Sequence, residues 1–144
     1  MATEHRTGPA GVRSLSGVTH QRSPVSVAET VLRLSAAIRS AGSTPFFVID
    51  HSGEAQRAGT ELRDTKVLGF EDPVTAAPIM LASPLAALDL PLRLLVWKDD
   101  GGVVWVSYVD PAWLAKRHHL PEELAVPLQG VEQLIAQATA EETD

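Results

Sequence analysis

The chain contains no cysteine among its 144 residues. Thiol catalysis, iron–sulfur clusters and cysteine-type zinc sites are therefore excluded. It also has no apolar run of the ~18 residues that a membrane-spanning helix needs. Aromatics are scarce at 5%, and 12 Lys and Arg stand against 18 Asp and Glu. The whole net charge of −6 lies after residue 120, because acids and bases balance over residues 1–120. A neutral body with scattered cations lacks the positive stripe that phosphate binding demands, so nucleic acid is not an expected partner. There is no G-x-S-x-G elbow and no glycine-rich phosphate loop after a strand. What remains is an ordinary globular composition, 44% apolar and 21% charged, sufficient for one domain.

Met1 to Arg13 carries Glu4, Arg6, Gly8, Pro9 and Gly11 without an apolar core, so it is no export signal. It reads as a disordered leader (1–13) before a single α+β domain (14–139) and an acidic tail (140–144). The expected compartment is the cytoplasm, with no membrane as partner.

The punctuation of the chain predicts its elements. A weak strand falls near 17–22. Ser26-x-x-Glu29 is a capping box, and behind it Val27, Val31, Leu34 and Ile38 share one helical face, giving a helix over 26–41. Pro45 to Ile49 is a short apolar run that reads as a strand buried on both faces. A short helix follows near 54–58, then a strand over 65–71. Asp72-Pro73 opens an irregular crossover that Pro78 and Pro84 cut into short pieces. Residues 92–97 and 103–109 form a hairpin around Asp99-Asp100-Gly101-Gly102. A type I′ turn centred on Asp100-Gly101 sets Trp97 opposite Val104 and Val96 opposite Trp105. Helices near 111–118 and 128–139 complete the chain. The order β-α-β-α-β-crossover-β-β-α-α predicts an α+β fold, a largely antiparallel sheet with helices on one face.

Chemistry-bearing residues are few. His51 directly follows a buried strand, where loop and helix groups converge on ligands. Asp89 is a carboxylate in an apolar stretch, Tyr108 lies near the far end of the hairpin, and Met80 is an apolar filler. His118 and His119 point about 100° apart on a helix, so they cannot easily share a metal. In the type I′ register Trp97 and Trp105 occupy opposite faces of one ribbon. Helices on one face leave the other apolar in water, which predicts a homodimer.

The segments His51-Ser52-Gly53-Glu54-Ala55, Leu88-Asp89-Leu90-Pro91-Leu92, Val96-Trp97 and Val104-Trp105-Val106-Ser107-Tyr108-Val109-Asp110-Pro111 resemble the bacterial family called domain of unknown function 302. The similarity runs from about Val18 to Leu120. It implies a small intracellular protein with an α+β fold likened to the TATA-binding-protein fold, expected to dimerise, and it supplies no reaction. The leading expectation is a cytoplasmic homodimeric binding or interaction module without catalysis. Its pocket would be lined by His51, Met80, Asp89 and Tyr108, with room for an unidentified small-molecule ligand. The first alternative is a small-molecule enzyme using His51 and Asp89 as an acid–base pair. The second is a metal or haem binder through His51 and Met80.

Overall fold

The computed structural model describes residues 8–141. Its strands are β1 (Val18–Ser23), β2 (Thr44–Asp50), β3 (Thr65–Glu71), β4 (Leu92–Lys98) and β5 (Val104–Val109). Its helices are α1 (Val27–Ser40), α2 (His51–Arg57), α3 (Pro73–Ala82), α4 (Pro111–Arg117), α5 (Glu122–Ala125) and α6 (Gly130–Ala138), with 3-10 turns at Pro84–Leu88 and Val126–Gln129. The strands make one five-stranded sheet in the order β1-β5-β4-β3-β2, every neighbouring pair antiparallel. The α+β fold, the element order and the antiparallel sheet are as the sequence predicts. Among the described residues no helix is long and apolar enough to cross a membrane.

Local chemistry starts the helices. Ser26 Oγ accepts from the Glu29 amide at 3.1 Å and caps α1, satisfying a donor that the helix start leaves free. Asp72 and Asp110 cap α3 and α4, each with Pro at the first turn. The apolar stripe of α1 then meets α6 and one face of the sheet. Val27, Leu34, Ile38, Leu68, Leu94, Val96, Val106 and Ile135 form the centre of this core. Burying each such side chain contributes roughly 1.5–3 kcal/mol.

Three expectations need correction. The run at β2 is not buried on both faces. β2 is an edge strand, with Phe46, Val48 and Ile49 exposed and a register shift between Pro45 and Phe47. An edge tolerates the missing amide of Pro45, which a central strand does not. The hairpin register is also one residue off the type I′ prediction. Trp97 pairs with Trp105 and Val96 with Val106. The Asp99 amide bonds the Val103 carbonyl, and Gly102 adopts φ +80°. The loop is therefore the three-residue kind, a turn followed by a left-handed residue. That extra residue puts both tryptophans on the same face. The third correction concerns the leader. Its first seven residues, like the last three of the tail, fall outside the described residues. Pro9, however, is buried, and the Ala10 amide donates to Asp99 Oδ2 at 2.8 Å, so this part of the segment is docked on the hairpin.

Candidate functional site

The four predicted site residues do not share a pocket. Asp50 pairs with Lys66 at the Trp97 end of the sheet, and His51 continues from it into α2. Asp89 precedes β4, at the opposite end, where Leu92 pairs with Phe70. About seven residues of strand, on the order of 20 Å, separate the two ends. His51 and Asp89 are thus no acid–base pair. Met80 is on α3, whose inward residue Ile79 packs with Ala86, Leu128 and Leu92 at the Asp89 end, so Met80 and His51 do not converge either. Asp89 and Tyr108 do line one cavity, but it holds only about 40 Å³, room for a water molecule rather than a ligand. Burial, then the charges of Glu132 and Asp110, push the Tyr108 hydroxyl above its ordinary value. A larger cavity of about 200 Å³ lies between Phe70, Leu92, Leu128 and Leu134, and none of the four predicted residues lines it.

The histidine that meets Asp89 is His118. Its Nε2 lies 2.5 Å from Asp89 Oδ2, and Arg117 Nη1 is 3.5 Å from the same oxygen. The adjacent histidines divide two tasks. His118 ties the end of α4 to the crossover, while His119 takes φ 52° and ends the helix in a left-handed residue. No spacing rule links residues 89 and 118, because the contact depends on how α4 docks.

The more built-up constellation lies on the sheet face away from α1 and α6. Pairing places Ile49, Phe47, Val67, Leu95, Trp97, Trp105, Ser107 and His20 on that face. None of these residues belongs to either hydrophobic cluster. Phe47 lies flat over Gly69, where an added Cβ would come within 2.3 Å of the ring. Only glycine admits this approach. Ser107 Oγ accepts from Trp97 Nε1 at 2.9 Å and pairs with His20 Nδ1 at 2.7 Å. His20 also stands edge-on to Trp105, and burial lowers its imidazole below the ordinary value, favouring the neutral ring.

Asp99 fixes one end of this face. The carboxylate accepts from Trp105 Nε1 and from the amides of Ala10, Gly101 and Val103. Burial alone would raise its pKa, but these four donors overcome that and hold it at about 2. Turn propensity marks Asp99 as a loop residue, and its longer-range role was not legible there.

A second feature stands apart from the sheet. From Pro73 to Leu88 the chain has no charged residue. Leu81 (88% exposed), Val74 (83%), Leu88 (72%) and Leu85 (69%) are the most exposed large apolar side chains among the described residues. They form an outward ridge, while Ala76, Ile79 and Ala86 face inward.

The family model described as Domain of unknown function DUF302 matches residues 19–141. The chain belongs to the DUF302 family. A crystal structure of an uncharacterised conserved DUF302 protein from Bacillus stearothermophilus has a similar fold, with a TM-score of 0.73 and 17% identity over 87% of this chain and 97% of that one. Two curated relatives are similar in sequence. A protein called fluoride-specific ion channel FluC 1 of Brucella suis is 40% identical over 116 residues, 81% of this chain and 46% of the relative. FluC 1 of Brucella abortus has the same identity over 43% of its length. The DUF302 chain thus spans less than half the length of these relatives.

Proposed function

We propose that this DUF302 chain is a binding module without catalysis that forms a homodimer through the open face of its sheet. The observation that carries this reading is the set of Phe47, Val67, Leu95 and Trp97, half-buried side by side with no helix of the core above them. A contiguous apolar patch of this kind marks an interaction surface in a soluble domain. A two-fold axis through the face would pack like against like. Ser107 Oγ is paired with both His20 Nδ1 and the Trp97 indole, so covering the face does not strand these three atoms. Light scattering of the full chain tests the reading. The expected mass is twice 15.4 kDa, falling to the monomer value in Leu95→Glu. A monomer at micromolar concentration would overturn it.

A second reading is favoured by the relatives. The matched region is under half of two proteins named as fluoride channels, and this chain's described helices are too short or too polar to cross a membrane. On this reading the module works beside a fluoride channel, and cells lacking it become more sensitive to fluoride. Unchanged growth of the deletion strain across a fluoride series counts against it.

A further inference from the structure

The uncharged stretch from Pro73 to Leu88 has a seam that neither reading uses. Val74, Pro78 and Leu81 fall at intervals of 4 and 3 on α3, the interval at which a helical surface presents knobs to a facing helix. Beyond the extended Ser83, Leu85 and Leu88, three apart, share one side of the 3-10 turn. All five are exposed, whereas Ala76, Ile79 and Ala86 supply the inward side. A segment apolar on every side is ordinarily enclosed, and here the outer side has no partner among the described residues. The charge at the start of the ridge has one sign. No Lys or Arg occurs between Lys66 and Arg93, while Glu71 and Asp72 stand at the start of the ridge. Asp89, at its end, is already met by Arg117 and His118. An acidic border disfavours the anionic surface of a bilayer and suits a partner with cations beside its apolar surface. Helices of membrane proteins have that pattern where Lys and Arg flank an apolar span.

We propose that the ridge from Val74 to Leu88 docks an apolar helix flanked by basic residues, of the kind found at the end of a channel's membrane span. The proposal rests on the channel reading for the partner's identity and on the ridge itself for the partner's chemistry. The seam supplies the apolar contact, and Glu71 and Asp72 select a positive flank at their end of it.

The test uses the full chain and two synthetic leucine–alanine helical peptides, one with lysine pairs at its ends and one with glutamate pairs. Calorimetric titration is expected to show the lysine peptide binding at least about tenfold tighter than the glutamate peptide. Leu81→Lys and Leu85→Lys change exposed side chains, so circular dichroism stays native while lysine-peptide binding weakens by about tenfold or more. Equal binding of the two peptides, no binding, or binding unchanged in both variants overturns the proposal. Flotation of the chain with phosphatidylcholine vesicles, lost in Leu81→Lys, assigns the ridge to lipid and overturns it. So does loss of a dimer in Leu81→Lys, which assigns the ridge to a second copy. The fluoride-growth result is independent of these. A deletion phenotype together with a failed peptide titration keeps the channel reading and removes the ridge from it.

Discussion

The two faces of the sheet are built from alternate residues of the same strands, yet they differ in kind. The face beneath α1 and α6 is mostly aliphatic, with Leu68, Leu94, Val96 and Val106 fully buried and Phe70 and Tyr108 as its aromatic members. The other face mixes Phe47, Leu95 and two tryptophans with Ser107 and His20, whose polar atoms bond one another. The first arrangement is what a closed core requires. The second keeps a polar network on an apolar surface, as an interface does. The difference also shows what one residue of register decides. Moving β5 by one position would exchange the faces of Trp105 and Val106. The three-residue turn with Gly102 prevents this.

The sharpest way to break the comparison is to place the same charge on neighbouring residues of β4. Val96→Asp buries a carboxylate in the aliphatic core, so the chain should lose its cooperative thermal transition, a cost of several kcal/mol. Leu95→Asp should retain a native circular dichroism spectrum and change only the mass in solution. Unfolding of both variants would mean that the second face is a core as well.

The next largest effect concerns the carboxylate that holds the hairpin end. Asp99→Ala leaves the Trp105 indole and three amides without their acceptor. Urea titration should show a loss of about 3 kcal/mol or more. The same group gives a pH dependence. Its folded pKa is depressed to about 2, so its contribution is complete above the ordinary carboxyl value. It is lost as pH falls from about 4 to about 2. The Asp99→Ala stability curve should be flatter than the parent's in that window.

Much of this was legible in the sequence, and the misses have physical causes. The capping serine, the 3.6-residue stripe of α1 and the Asp110-Pro111 helix start are local signals, and they place their elements within a residue or two. The fold class follows from the order of the elements. Asp72-Pro73 marks a helix start equally well, but Pro78 does not cut the segment as its type suggests, and α3 runs through it from Pro73 to Ala82. The hairpin register was missed because Asp-Gly within a run of two aspartates and two glycines fits either a two- or a three-residue turn. The Asp89–His118 contact was missed because it joins residues 29 positions apart across a docked helix. His51 looked functional from its place after a strand, but the sheet carries it to the end away from Asp89. β2 looked buried from composition alone, and only strand order makes it an edge.

Smaller effects sharpen the picture of the hairpin. Removing residues 1–13 takes away the Ala10 donor and the buried Pro9. The melting temperature should fall by several degrees, for a loss of ~1–2 kcal/mol. An unchanged melting temperature would mean that this segment contributes nothing to the hairpin. Gly102→Ala meets no neighbouring atom within 4 Å, so its cost is conformational, from φ +80° alone. About 1 kcal/mol is expected by urea titration, and no cost would argue for the two-residue turn.

The most direct test of the open face as the dimer interface exploits the absence of native cysteine. A single nitroxide label at Arg93→Cys sits on that face, opposite Gly69, and a second chain labelled at Val74→Cys sits on the outward ridge. Two sheets packed face to face stand about 10 Å apart, so labels at position 93 should couple strongly between protomers. Diluting with unlabelled chain should abolish the coupling, and labels at position 74 should show much less. Equal coupling at both positions, or none at position 93 in a chain of dimer mass, would contradict the account.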